Sequence, residues 1–238
     1  MFPWLQTARR TGLFSYSGIF VIVALVAMSS QLPAQENATT AGTTMENGPD
    51  TATVPAEMET VAGPGSVVQR LHTALLEVMK NSDELGYEGR YEKLKPVISA
   101  VFDTPLISRV ILSRYWRDLS ETEQSEFIDL FTRLSTATYA SRFDGYNGEE
   151  FTEAEVVELQ KGRQLIKTRL DRRSKKAVTL DYLVHRDDGE WRIISVIADG
   201  VNDLSLKRAE YAVVIKDKGY RGLLQEIQSK IDDMESDS

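Results

Sequence analysis

The hairpin pattern between residues 178 and 198 restricts the fold of this chain more than any other feature of its sequence. Alternate residues from Val178 to Val184 are apolar, which is the period of a strand with one buried face. Asp187-Asp188-Gly189 supplies a turn, and the return strand Glu190 to Ala198 is apolar on both faces. Both faces of that return strand are therefore expected to be covered.

A helix is predicted directly after this hairpin. The chain bends at Asp199-Gly200, and Asp203 and Ser205 are both good N-cap residues. Apolar side chains then recur at helical spacing until Gly219, which is predicted to end the helix. One more helix is predicted over 221–231.

The remaining elements complete the predicted fold. Four strands are predicted in all, over 153–160, 165–171, 177–185 and 190–198, with short turns between them. Helical periodicity fills 66–143, with a break or bend near Pro96, a Thr104-Pro105 helix start and a capping box from Ser120 to Glu123. We therefore predict an α+β fold. It is a curved antiparallel four-stranded meander with helices packed on one face, after a mostly helical N-terminal half.

The first 34 residues have the pattern of a secretory signal peptide. A basic pair, Arg9-Arg10, precedes an apolar run over 12–28 and a small-residue end at Ala34. An uncleaved membrane anchor is the alternative, because a run of about 17 residues is near the lower limit for spanning a bilayer. Either interpretation predicts export. Residues 35–65 are predicted to be a disordered linker, 66–233 the folded domain and 234–238 a flexible tail.

Charge and cysteine content exclude several classes of function. The net charge is −8, and it becomes −10 once the first 34 residues, with two arginines and no acids, are set aside. Such an acidic body argues against broad nucleic-acid binding and against adhesion to an anionic membrane by charge alone. The absence of cysteine excludes disulfides, thiolate metal sites and cysteine nucleophiles.

The sequence contains no motif of catalysis that we recognise, such as a phosphate-binding glycine loop, a nucleophile elbow or a zinc-binding helix. His72 is predicted to be a partly buried, satisfied helix residue, and His185 an exposed strand residue. Asp181 and Asp199 are candidates for an isomerase-like carboxylate, with solvation or backbone capping as the preferred interpretation. The basic turn over 172–176 is interpreted as a solvated hairpin tip, with contact to anionic headgroups as the alternative. No catalytic residue, metal site or cofactor is predicted.

Two groups of short motifs follow one another along the domain. The first comprises Leu112-Ser113-Arg114-Tyr115-Trp116, Glu123-Gln124-Ser125-Glu126-Phe127 and Tyr139-Ala140-Ser141-Arg142-Phe143; the second comprises Gly189-Glu190-Trp191-Arg192, Asp199-Gly200-Val201-Asn202, Lys207-Arg208-Ala209-Glu210-Tyr211 and Lys218-Gly219-Tyr220. Together they resemble the MlaC family of periplasmic phospholipid-binding proteins, also called toluene-tolerance auxiliary proteins, over 66–231. Asp203 to Tyr211 looks most like the hopanoid-associated HpnM branch. Ser195 and Asn202 depart from the family pattern, which often has aspartate and serine there.

The resemblance implies a soluble lipid carrier with a nuclear-transport-factor-like curved sheet. Its family members hold acyl chains between sheet and helices, with the headgroup outside, in the periplasm. The implied partners are a phospholipid or hopanoid-type lipid, an inner-membrane ABC transporter complex and an outer-membrane lipid-transfer partner. Burial of acyl chains contributes about 0.8 kcal/mol per methylene, so an apolar slot can bind lipid without a specific polar constellation.

We predict that this slot is lined by apolar and aromatic residues of the sheet and of the helices. They are Val178, Leu180, Tyr182, Val184, Ile193 and Ile197 from the sheet, with Tyr115, Trp116, Phe131 and Tyr211 from the helices. Two alternatives stay open. One is an isomerase-like enzyme that acts on an apolar substrate through Asp181 or Asp199, and the other is a non-enzymatic interaction module with a solid core.

Overall fold

The computed structural model describes residues 63–173 and 175–237. The predicted signal peptide over 1–34 and all but the end of the predicted linker over 35–65 lie outside the described residues. Helices occupy Gly65–Lys80 (α1), Ser82–Val101 (α2), Thr104–Leu112 (α3), Glu121–Arg142 (α4) and Asp203–Ser236 (α5), with 3-10 turns over Ser113–Asp118 and Gln160–Gly162. Strands occupy Glu150–Glu158 (β1), Gln164–Arg172 (β2), Lys175–Asp187 (β3), Glu190–Ala198 (β4) and Val201–Asn202 (β5).

Side-chain caps fix where three of the helices begin. The predicted capping box at Ser120 is present, because Ser120 and Glu123 each accept a hydrogen bond from the other's backbone N–H. The cap of α3 is Asp103 rather than Thr104, and its Oδ1 accepts from the Leu106 amide at 2.9 Å. The cap of α5 is Asn202 rather than Asp203 or Ser205, because its Oδ1 accepts from the Ser205 amide at 3.0 Å.

Glycine, rather than proline, interrupts the long helices. The break in α2 lies at Gly86, with φ 57°, whereas Pro96 lies inside the helix without leaving helical dihedral angles, which corrects the predicted break near Pro96. The predicted break of the last helix at Gly219 is confirmed by its φ of 74°. Beyond it, α5 runs through residues 234–236, where a flexible tail was expected.

The strands form one antiparallel sheet in the order β1-β2-β3-β4-β5, which confirms the predicted meander. The β3–β4 turn places Asp188 and Gly189 at positive φ, as a tight two-residue hairpin requires. The fifth strand, β5, was not predicted, since its two residues are too few to show an alternation. Alternate residues of β3 from Val178 to Val184 are buried, while those between them are not.

Two hydrophobic clusters make up the interior. In the first, which we call the sheet cluster, α1 and α2 pack on the buried face of the sheet. Its most buried members include Val68, Leu71, Leu75, Val78, Leu94, Ile98, Val101, Ala140, Ile166, Val178, Val184 and Ile193. The second, the helix cluster, is built from α3, α4 and α5 and includes Ile107, Ile111, Leu112, Phe127, Leu130, Phe131, Leu134, Tyr211, Leu223, Leu224 and Ile227. Tyr87, Tyr91 and Phe102 contact both clusters and join them.

Candidate functional site

A cavity lies at the boundary between the sheet cluster and the helix cluster. The cavity has a volume of about 80 Å³ and opens to solvent. We call it the slot. It is lined by Phe102, Thr104, Ile107 and Ile111 near and in α3, by Phe131, Ser135, Thr138, Tyr139, Arg142 and Phe143 in and after α4, by Ile194, Ser195, Val196 and Ala198 in β4, and by Asp203 and Leu204 at the start of α5.

An irregularity in β4 supplies the sheet wall of the slot. The register between β3 and β4 shifts so that Val184 pairs with Ile193 and Leu183 with Ser195, which leaves Ile194 as the extra residue of a bulge. Ile193 belongs to the sheet cluster, whereas Ile194 borders the slot together with Val196. The bulge therefore lets one strand serve both regions.

The hydroxyl groups on the α4 wall are already engaged. Ser135 Oγ donates to the Phe131 carbonyl at 2.9 Å, and Thr138 Oγ1 donates to the Leu134 carbonyl at 2.7 Å. Such bonds to the preceding turn leave the carbon atoms of these side chains to face a ligand. At Ser135 and Thr138 the α4 wall thus presents an apolar surface despite the polar residue types.

Ionisable side chains border the slot where α4 ends and α5 begins. Burial raises the pKa of Asp203 to about 6, while the cations Lys207 and Arg142 act in the opposite direction. Burial likewise lowers the pKa of Arg142 and raises that of Tyr139. An exposed cation, Arg142, and a half-buried carboxylate, Asp203, mark this end of an otherwise apolar cavity.

The structure places the ten predicted lining residues in several environments. Phe131 borders the slot. Val178, Leu180, Tyr182, Val184 and Ile193 are members of the sheet cluster, where α1 and α2 cover them. Tyr211 is buried in the helix cluster, Trp116 packs against that cluster, and Tyr115 and Ile197 are half-buried. Nine of the ten therefore lie away from the slot as it is formed here.

The two histidines are both engaged. His72 Nε2 lies 3.0 Å from the Tyr182 hydroxyl and its ring stacks on Phe151, in agreement with its predicted burial. Burial lowers the pKa of His72 to about 4. The prediction that His185 is exposed is wrong, because its Nε2 lies 2.7 Å from Asp103 Oδ2. Asp103 reaches this face of the sheet because its amide donates to the Ile193 carbonyl.

Neither candidate catalytic carboxylate borders the slot. Asp199 Oδ1 accepts from the Thr179 amide at 2.9 Å and so ties β4 to β3, which agrees with the preferred interpretation as a backbone cap. Asp181 is half-buried on β3, and burial raises its pKa while Lys167 lowers it. Apart from Asp203, none of the carboxylates singled out from the sequence lines the slot.

Residues 63–173 and 175–237 contain neither a cluster of metal ligands nor a helix that could span a membrane. No group of three His, Asp or Glu side chains in these ranges is placed to hold a metal ion. None of the helices in the same ranges combines the length and the apolar character needed to cross a bilayer.

Comparison with known proteins assigns the family. The family model described as MlaC protein matches residues 69–229, which is most of the chain. The chain belongs to the MlaC family. The toluene tolerance protein ttg2D of Pseudomonas putida is 24% identical to it over 161 residues, covering 66% of this chain and 74% of the relative. A phospholipid-binding protein from Ralstonia solanacearum, solved in complex with a phospholipid, superposes with a TM-score of 0.65 at 16% identity, covering 73% of this chain and 99% of that one.

The structural match supports the fold of this MlaC chain: helices packed against an antiparallel sheet. The matched region includes every residue that lines the slot. Three of those residues, Tyr139, Arg142 and Phe143, belong to one of the motifs that carry the family resemblance in the sequence. In the sequence this motif indicates the family, but nothing in its pattern shows that it lines a cavity.

Proposed function

We propose that this MlaC chain binds lipid, with the acyl chains in the slot, and carries the lipid between the inner and outer membranes in the periplasm. The observation that carries the proposal is the slot itself, an open cavity whose walls come from two separate hydrophobic clusters. Each methylene moved from water into such a cavity contributes about 0.8 kcal/mol. A phospholipid bound to the Ralstonia solanacearum protein of the same fold supports a phospholipid as the cargo.

The enclosed space favours a carrier over an interaction module with a solid core. It also favours a carrier over an isomerase-like enzyme, because Asp181 and Asp199 lie outside the slot. Either a phospholipid or a hopanoid-type lipid has the apolar body that the slot accepts. The charged end at Arg142 and Asp203 is suited to the polar end of a phospholipid. Delivery and collection would involve an inner-membrane ABC transporter complex and an outer-membrane partner, the implied partners of the family.

A cavity-filling variant on α4 tests the proposal. Ser135 borders the slot and is half-buried, so Ser135→Phe places a ring where an acyl chain would lie. Exclusion of two or more methylenes lowers affinity about 10-fold, at about 0.8 kcal/mol each. Lipid uptake by delipidated protein is measured by native mass spectrometry, and extracted lipids are identified to separate phospholipid from hopanoid-type cargo.

Ser125→Phe is the matched control, because Ser125 is an exposed serine on the same helix. It is expected to take up lipid as the unchanged protein does. Two results would count against the proposal: delipidated unchanged protein that takes up no lipid, and a Ser135→Phe variant that takes up as much lipid as Ser125→Phe.

A further inference from the structure

The β2–β3 hairpin ends in a cluster of positive charge on an otherwise acidic protein. Arg172 closes β2, Arg173 lies in the turn, and Lys175 and Lys176 open β3. We call these four residues the basic tip. Arg173, Lys175 and Lys176 are exposed, and Arg172 is half-buried. The chain beyond residue 34 carries a net charge of −10, because the total is −8 and the first 34 residues hold two arginines. The positive charge of the basic tip is therefore opposite in sign to that of the protein as a whole.

The four cations of the basic tip form no ion pair with the described residues, although Glu150 and Asp171 lie in the same surface groove. Within the described part of the chain, none of the four cations lies within 4.0 Å of a carboxylate oxygen, whereas Lys93, Lys167, Arg169 and Arg221 each form such a pair. The Arg172 guanidinium instead donates to the Lys176 carbonyl, with Nε at 3.1 Å, and so holds the shape of the turn. The other three side chains are left for solvent or a partner.

The basic tip lies beside the slot. A groove between the hairpin and the segment over 142–149 is lined by Arg172 and Lys175 on one side and by Arg142 and Phe143 on the other. Arg142 and Phe143 also line the slot. Two shared residues thus separate the slot from the groove that the basic tip borders.

An exposed aromatic ring completes this surface. Tyr146 lines the same groove, is 45% exposed, and lies 5.2 Å from the Lys80 ammonium. Tyrosine is enriched at membrane surfaces, where its ring sits among the headgroups while its hydroxyl stays in water. Asp144 and Glu149 are the acids that line the groove, and Glu149 accepts a hydrogen bond from the Asn147 amide at 2.5 Å. A partner surface of negative charge that also accepts an aromatic ring fits these features.

We infer that the basic tip and Tyr146 dock the protein on an anionic lipid surface, with the slot turned toward the bilayer. The acidic remainder of the protein is repelled by the same surface, so the attraction orients the molecule as well as binding it. This assignment goes beyond lipid carriage, and it uses the proposed carrier function only to explain why the basic tip adjoins the slot.

Vesicle binding tests the inference separately from cargo binding. The full folded protein is sedimented with phosphatidylcholine vesicles that contain or lack phosphatidylglycerol. Binding is expected only with phosphatidylglycerol and should weaken as salt is added. The triple variant Arg173→Gln, Lys175→Gln and Lys176→Gln is expected to bind about 100-fold more weakly. Each cation near such a surface contributes about five-fold in affinity, and three are removed. Arg172 is left unchanged to preserve the turn.

The matched control is Lys161→Gln, Arg163→Gln and Lys216→Gln, which removes the same charge from exposed positions elsewhere, two of them at the opposite end of the sheet. It is expected to bind vesicles several-fold more tightly than the basic-tip variant. Lipid content by native mass spectrometry is expected to be equal in all three proteins, so a failure of docking is distinct from a failure of carriage. Equal vesicle binding by both variants, no binding by the unchanged protein, or retention by an acidic protein but not by phosphatidylglycerol vesicles would overturn the inference.

Discussion

The sheet cluster and the helix cluster bury similar side chains, and the slot lies at the boundary between them. In the sheet cluster, α1 and α2 fill the space over β3, and Leu71, Leu75, Leu94 and Ile98 have no exposed surface. At the boundary, Ile107 and Ile194 keep a small exposed fraction because they face the slot. The position of the slot therefore depends on where the two clusters meet, and not on which residues are most apolar.

The largest expected difference between the regions is in the cost of truncating a side chain. Leu71→Ala in the sheet cluster should destabilise the protein by about 4 kcal/mol, because the surrounding structure cannot close the cavity. Ile107→Ala should cost about 2 kcal/mol, because one side of this residue already faces an open space. Urea denaturation of both variants measures this. Equal losses would mean that the two environments are equally packed.

The second largest effect is the dependence of stability on pH through His72, which packs beside the sheet cluster. The pKa of His72 is about 4 in the folded protein and 6.5 ordinarily, so the unfolded chain binds more protons between these values. Stability is therefore expected to fall by up to about 3 kcal/mol as pH drops from 6.5 to 4. His72→Gln, which does not titrate, should lose most of this dependence in denaturation measured across that range. An unchanged slope in the variant would assign the effect to other groups.

Loss of the contact between His185 and Asp103, which we call the clamp, should have a smaller effect on stability. His185 contacts Asp103, which caps α3, so the pair holds one wall of the slot against the sheet. His185→Ala leaves a buried carboxylate without this partner and should cost about 2 kcal/mol. His185→Gln keeps a donor and should lose less when both are compared by thermal unfolding. If the two variants were equally stable, the hydrogen bond would have no role in the clamp.

The smallest effect is expected at Asp203, with a sign opposite to that of His72. Its pKa is raised from 3.8 to about 6, so the folded protein binds more protons in that window and stability should rise as pH falls through it. With allowance for the partial exposure of this carboxylate, we expect about 1 kcal/mol. An acyl chain in the slot would exclude more water, so lipid should bind more tightly below pH 6 than above it. Asp203→Asn should remove that preference in uptake assays, while an unaltered preference would place its origin elsewhere.

Much of the fold was predictable from local patterns. The alternation in β3, the capping box at Ser120 and the break at Gly219 depend on neighbours within a few residues, and all three occur as expected. The caps of α3 and α5 were placed one residue or more too late, because Asp103 and Asn202 compete with equally good neighbours. Such choices are settled by where the preceding strand or helix ends.

An apolar slot could be predicted from the sequence, but most of the residues that line it could not. Periodicity shows that Tyr182 and Val184 are buried, but it does not show whether a helix or a ligand covers them. Here α1 and α2 do so, through packing between residues far apart in sequence. His185 was misplaced for the same reason, since Asp103 is distant along the chain. The bulge at Ile194 is a property of strand pairing that no single strand reveals.

The aromatic bridge of Tyr87, Tyr91 and Phe102 has a mechanical consequence. These three rings fasten the two interiors to each other, and Phe102 also stands at the edge of the slot. We therefore expect a bulkier ligand to move the two clusters apart, with these three rings as the hinge. Neither cluster has to unfold for this, because each keeps its own completed interior.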